Sequence, residues 1–310
     1  MGRAKRYRDI TVFPLHREVT PRLDYMALDE ALDRKLVEVT EVDAAGSVPD
    51  LLVKNCGKRS VLIIDGEEVV GAKQNRVVNT SILLSAESTT KIPVSCTEAG
   101  RWAEVSAQFK KSDTVLHHKA RARKAQSVST SYLMSETPVS DQGEVWADIQ
   151  YLQAASATHS PTNAMKDVYE ARQRELDQCL AALRPAAGQQ GLLVCVGGKP
   201  IGCDYVSRSE VYARVHDKLL RSYVIDALLV SDEEKGKAAR KDAARAFLRK
   251  TGRCESRCCE APGTGWDHRF EGKHLAGTAL VHEDEVLHQA FFLLEDEVDP
   301  RRWRRLSGRA

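Results

Sequence analysis

The densest chemistry in the chain lies in Ile64-Asp65-Gly66-Glu67-Glu68-Val69-Val70-Gly71-Ala72-Lys73-Gln74-Asn75-Arg76. Acids, a lysine, two amides and an arginine crowd between apolar flanks. A purely structural strand does not need so many kinds of hydrogen-bonding group. Strand alternation would put Gln74 and Arg76 on one face and Lys73 and Asn75 on the other. Gly66 and Gly71 permit tight turns or close backbone approach. A second polar run follows, Pro93-Val94-Ser95-Cys96-Thr97-Glu98-Ala99-Gly100-Arg101-Trp102. Glu67 and Glu98 are the candidate acid–base residues. Lys73, Gln74, Asn75, Arg76, Arg101 and Trp102 are the candidates for holding a phosphate- or carboxylate-bearing ligand. Cys96 is the candidate nucleophile. A neighbouring carboxylate opposes thiolate formation, so it would need Arg76, Lys73 or Arg101 close by. The competing reading makes both runs a structural network of turns and salt bridges.

Other features read more blandly. His117-His118-Lys119-Ala120-Arg121-Ala122-Arg123-Lys124 could grip phosphates, but the usual fate of such a run is a solvated face, and that is the expectation. Lys235 to Arg253 carries eight bases and one acid, Asp242, and suits a nucleic-acid backbone or an acidic partner subunit equally. Gly197-Gly198-Lys199-Pro200 lacks phosphate-loop spacing and reads as a hairpin turn. Asp204, just beyond it, could face the site. His282 and His288 read as surface or satisfied strand histidines. Cys254, Cys258 and Cys259 form no Cys-x-x-Cys pair, so no metal is assigned, although His268 and His274 lie downstream. The familiar serine-hydrolase, zinc-protease and dinucleotide fingerprints are absent from the sequence.

These residues need elements to position them. Strands are expected at Asp9–Arg17 and Leu36–Val42, with a helix over Tyr25–Lys35 between them. Short strands then recur from about 50 to 100, at the spacing of an antiparallel sandwich or barrel. Trp102 to Met134 reads as extended or irregular. Helices are expected over Val145–Ala155, Asn163–Leu183 (capped by Thr162 or Asn163), Val211–Val230 and Lys235–Lys250. Hairpins are expected at Gly191–Val206 and His274–Leu294, the latter turning at Glu283-Asp284. Ala45-Gly46-Ser47 marks a turn, and the tail around Trp303 is basic.

Size and charge bound the rest. The 310 residues carry 46 Lys plus Arg against 44 Asp plus Glu, a net +2. That balance argues against a dedicated nucleic-acid binder, leaving nucleic acid a weak third option. No stretch approaches the apolar length of a membrane span, and no signal-length apolar run follows the basic start. A cytoplasmic location with reduced thiols is the expectation.

The same residues resemble a known family, the ARG- and rhodanese/phosphatase-superfamily-associated proteins, ARG being ADP-ribosylglycohydrolase. The resemblance starts at Val12-Phe13-Pro14-Leu15, Leu28-Asp29-Glu30-Ala31-Leu32, Val39-Thr40-Glu41-Val42 and Gly46-Ser47-Val48-Pro49. It is most specific at Asp65-Gly66-Glu67, Gly71 to Arg76, Pro93 to Cys96, Glu98, Gly100, Arg101 and Trp102. It continues through Gly202-Cys203-Asp204, Lys218 to Tyr223 and Gly277 to Leu280, nearly the whole chain. It implies a connection to NAD-derived or ADP-ribose metabolism and carries no catalytic residue across.

The expectation is an α+β protein. An N-terminal antiparallel β-sandwich-like unit (1–140) is followed by a helical region packed with a smaller antiparallel sheet (141–297) and a basic arm (298–310). It would bind or act on an anionic, nucleotide-like small molecule, with no cofactor named. The alternative is a non-catalytic, self-assembling homo-oligomer that uses its basic helix and tail.

Overall fold

The computed structural model describes residues 1–18, 20–43, 47–229 and 238–294. The expected basic arm, the turn at Ala45-Gly46 and the start of the basic helix at Lys235 lie outside the described residues.

In chain order, β1 (Lys5–Tyr7), β2 (Ile10–Leu15) and β3 (Tyr25–Ala27) lead into α1 (Leu28–Asp33). Then come β4 (Val37–Glu41), β5 (Asp50–Asn55), β6 (Ser60–Ile63), β7 (Glu67–Gly71), β8 (Arg76–Val78), β9 (Ile82–Leu84), β10 (Ser88–Cys96) and β11 (Phe109–Val115). Four helices follow: α2 (His118–Ser135), α3 (Gln142–Ser156), α4 (Met165–Ala171) and α5 (Gln173–Ala182). The rest is β12 (Gly191–Val196), β13 (Lys199–Val206), α6 (Ser209–Ala227), α7 (Lys241–Thr251), β14 (Glu255–Glu260), β15 (Trp266–Gly272), β16 (Leu275–His282) and β17 (Glu285–Leu293). This is the α+β architecture that the patterns imply.

The sheet of the second half, expected to be the smaller, is the larger. Its eight strands run β1-β2-β12-β13-β17-β16-β15-β14, because the first strands of the chain join it, Val12 opposite Val194. Alternation along β12 sends Leu192 and Val194 into one core with Val215, Leu219 and Tyr223 of α6. Leu193 and Cys195 face the other way, under Ala244 and Phe247 of α7. Burial pushes the Cys195 thiol up to about 12, as befits a small buried hydrophobe. The turns are of the expected kind. Gly197 and Gly198 (φ 55° and 84°) close the first hairpin, and Glu283 and Asp284 (φ 49° and 61°) close the last.

The six-stranded sheet holds the motif and runs β11-β7-β8-β10-β5-β4. β10 turns a corner: Ser88–Pro93 pairs with β5, and Val94–Cys96 pairs with β8. The sheet curls until its edge strands β11 and β4 touch, and α1 packs on both. Val39, Val53, Val69, Val78, Val94 and Phe109 fill the inside. A small sheet, β3-β6-β9, lies beside it.

Three readings are corrected. Trp102–Met134 is not irregular throughout: it contains β11 and the 18-residue helix α2. Lys, Arg, Ala and Gln are good helix formers, and the basic run is not a solvated face. His117, His118, Arg121 and Lys124 are buried. The segment expected as one helix from Asn163 breaks at Arg172 into α4 and α5, and Ala164, with no side-chain cap, precedes α4. Asn163 instead takes φ 53°, and Ser160 Oγ accepts from the Ala164 amide at 2.8 Å.

Candidate functional site

Four strands bring residues to one end of the curled sheet. Glu41 ends β4, Gly71 ends β7, Arg76 begins β8 and Cys96 ends β10. The expected strand alternation through Lys73–Arg76 fails, because residues 72–75 form a loop between β7 and β8. Gly71 (φ 128°) and Ala72 (φ 40°) reverse the chain. A Cβ on Gly71 would sit 2.6 Å from Ser106 Oγ. The loop is pinned by its neighbours. The Ala72 amide donates to Ser106 Oγ (3.1 Å), the Gly71 amide to Asn75 Oδ1 (3.2 Å) and the Lys73 amide to Glu41 Oε1 (3.4 Å).

Arg76 pairs with Val69 and Cys96 across the sheet, so its side chain points to the inner face. It occupies the end of an otherwise apolar interior and is 0% exposed. Nη1 donates to Gln74 Oε1 at 3.0 Å. Nη2 lies 3.9 Å from Glu41 Oε1, and the guanidinium sits 5.7 Å from the Trp102 ring centre. Nε and Nη2 are buried without a hydrogen-bond partner. So are Asn75 Nδ2 and Glu41 Oε2. Such orphans are rare in protein interiors and call for an explanation. Trp102 is half exposed, and the Lys73 ammonium also lies over it, at 5.6 Å.

Arg101 is a clamp. Its Nη1 donates to the carbonyls of Ala72 (2.7 Å) and Ala103 (2.9 Å), and its Nη2 to Glu98 Oε2 (2.6 Å) and Asn75 Oδ1 (3.2 Å). Glu98 also accepts from Thr162 Oγ1 at 2.8 Å. Burial pushes its carboxyl up, but the bonds from Arg101 and Thr162 and the charge of Arg101 win and hold it below the usual range. A carboxylate held so is an anchor more than a proton donor. Cys96 faces the site, gripped through its backbone by Gln142, which donates to its carbonyl and accepts from its amide. Burial pushes its thiol up, outweighing the opposing charge of Arg76. It therefore stays protonated at neutral pH.

Glu67 is elsewhere. It starts β7, about 13 Å of strand from Gly71 at roughly 3.3 Å per residue. Lys218 Nζ donates to it at 2.8 Å and to Asp29 at 2.6 Å, while the Ile64 amide donates to its Oε2 at 3.0 Å. Burial raises its carboxyl, and Lys218 opposes the rise. The structure thus gathers Lys73, Gln74, Asn75, Arg76, Cys96, Glu98, Arg101 and Trp102 at one end and leaves Glu67 with α6.

Sequence reasoning passed over several partners. Glu41 lies at the site although the sequence marks it only as a strand residue within the family resemblance, not as a site residue. Glu68 is buried and takes hydroxyl bonds from Thr97 (2.7 Å), Ser112 (2.8 Å) and Thr114. Burial raises its carboxyl against those bonds. The inward face of α2 is the largest omission. Lys124 pairs with Asp65. Arg121 grips Asp204 with two bonds (2.6 and 3.1 Å), and Tyr223 adds a third (2.6 Å). Asp204 therefore faces the interior of the molecule. Ser81 Oγ, His288 Nδ1 (2.7 Å) and Asp204 (3.4 Å from Nε2) make a serine–histidine–aspartate row. All three are fully enclosed, and the carboxylate is already committed to Arg121, so the row reads as structural. The helical spacing of Arg121, Lys124 and Val128 signals a helix but not that its cations are buried.

At the far sheet edge, Cys258 Sγ lies 3.6 Å from His268 Nε2. Among the described residues no group of three or more His, Cys, Asp or Glu side chains is placed to hold a metal ion, and no helix is long and apolar enough to cross a membrane.

The family model described as the ARG and Rhodanese-Phosphatase-superfamily-associated Protein domain matches residues 1–292. No curated protein and no solved structure matches the chain.

Proposed function

For a chain that belongs to the ARG and Rhodanese-Phosphatase-superfamily-associated Protein family, we propose that the end of the curled sheet binds a small anionic molecule. The observation that carries this reading is Arg76, wholly buried with Nε and Nη2 unbonded. A buried, unsatisfied guanidinium costs stability. An oxyanion would remove that cost. Mouths of barrel-like sheets are common ligand sites, and Trp102 offers an aromatic rim. A nucleotide-like ligand, in keeping with the ADP-ribosylglycohydrolase in the family's name, fits the combination of anion and ring. Binding is better supported than catalysis, since Glu98 is held charged by Arg101 and Cys96 is held protonated. The eight cysteines are all unpaired, and we place the protein in the cytoplasm on that chemistry.

A thermal-shift series with phosphate, pyrophosphate, ADP, ADP-ribose and small carboxylates tests this. A ligand at a hundred times its Kd stabilises the folded state by about 2.7 kcal/mol. The shift should vanish in Arg76→Ala. A panel in which nothing shifts the wild type, or in which Arg76→Ala shifts equally, would sink the proposal.

A further inference from the structure

We infer that the ligand of this site carries a hydrogen-bond donor, a hydroxyl or an ammonium, next to its oxyanion; the inference rests on the anion-binding reading above and narrows it. The free groups on Arg76 are not an arbitrary pair. Nη1 is spent on Gln74 Oε1. Nε and Nη2, the two left, form one edge of the planar guanidinium, with N–H bonds pointing the same way. That edge is the two-pronged fork that takes two oxygens of a carboxylate or a phosphate. Asn75 Nδ2, on the adjoining residue, is a further donor that is buried and unbonded.

Glu41 breaks this run of donors. It lies beside the fork, Oε1 at 3.9 Å from Nη2, too far for a hydrogen bond. Its Oε1 accepts from the Lys73 amide, and its Oε2 is buried with no hydrogen-bond partner. A bare anion would satisfy the fork, leave Oε2 orphaned and meet a like charge. A ligand with a donor one or two bonds from its anionic group satisfies both. The site therefore selects hydroxylated or aminated carboxylates or phosphates over their plain counterparts. Trp102 has its ring centre 5.7 Å from the guanidinium and is half exposed, and entry of the ligand requires this ring to move.

The test uses two matched pairs on the full chain, by calorimetry and by tryptophan fluorescence: lactate against propionate, and hydroxymethylphosphonate against ethylphosphonate, the phosphonate standing in for a phosphate. The pair that binds tells carboxylate from phosphate. In the wild type the hydroxylated member should bind about tenfold tighter, the size of one hydrogen bond to a charged group. Glu41→Ala should cut that ratio to about twofold or less while the plain member binds no worse. Glu41→Gln, which keeps an acceptor oxygen, should retain part of the preference and serves if Glu41→Ala does not fold. Arg76→Lys, keeping the charge and losing the fork, should weaken both members. Equal binding of the two members to the wild type, still dependent on Arg76, overturns this inference alone. Anion binding unchanged in Arg76→Lys and Arg76→Ala overturns it together with the reading beneath it.

Discussion

Replacing Arg121 with methionine should be among the most damaging single changes in the molecule. Arg121 and Asp204 are both 0% exposed and joined by two bonds, and the guanidinium also lies 4.7 Å from the Phe292 ring centre. Methionine fills the stem and removes the charge, leaving Asp204 buried with Tyr223 and His288 for company. Removing one partner of a buried ion pair costs about 3–5 kcal/mol, mostly because the other charge is left uncompensated. With about 2.1 cal/mol/K of unfolding entropy per residue, a loss of about 4 kcal/mol over this length lowers Tm by about 6 °C. Calorimetry or circular dichroism measures it. The cause is checked by the double variant Arg121→Met with Asp204→Leu. If the orphaned carboxylate is the cost, removing it should restore about 1–2 kcal/mol. A Tm for Arg121→Met within about 1 °C of wild type, or a double variant less stable than the single, would refute the reasoning.

Other outcomes follow from the same interior and from the site. His117 is fully buried. Burial lowers its pKa, but Asp226, helped by Asp148 and opposed by Lys119, raises it overall. A raised folded value gives stability that is complete below the unfolded pKa of about 6.5 and lost as pH climbs through the folded value. His117→Gln should flatten that fall in denaturant titrations run from pH 5.5 to 8.5. Gly71→Ala should destabilise by about 1–3 kcal/mol and weaken ligand binding, because φ 128° and the 2.6 Å approach of Ser106 leave no room for a methyl group. Iodoacetamide at neutral pH should label exposed Cys56 and Cys258 in the native protein and spare Cys96, as peptide mass mapping would report.

The parts of the fold legible in the sequence share one property: their signal is local. Glu283-Asp284 and Gly197-Gly198 sit between apolar runs, and their positive φ follows from the turn type. The stripe Val215, Leu219, Tyr223 announces α6 at helical spacing. α2 was hidden because its inward positions hold Arg121 and Lys124, so apolar periodicity is silent there. Their partners Asp204 and Asp65 are 83 and 59 residues away, and nothing local distinguishes a buried cation from a solvated one. The motif itself was conspicuous for its chemistry, but its faces were misassigned, since the reversal at Gly71-Ala72 replaces a strand by a loop. Glu67 looked like part of the site by adjacency. The length of β7 carries it to the opposite end, where Lys218 meets it.

The most direct measurement is a crystal structure of the protein soaked in tungstate, a phosphate-shaped anion visible by anomalous scattering. The account predicts a peak within hydrogen-bond distance of Arg76 Nε and Nη2, with Trp102 displaced. A structure in which both nitrogens are bonded to protein groups, with no peak at the end of the curled sheet, would contradict it.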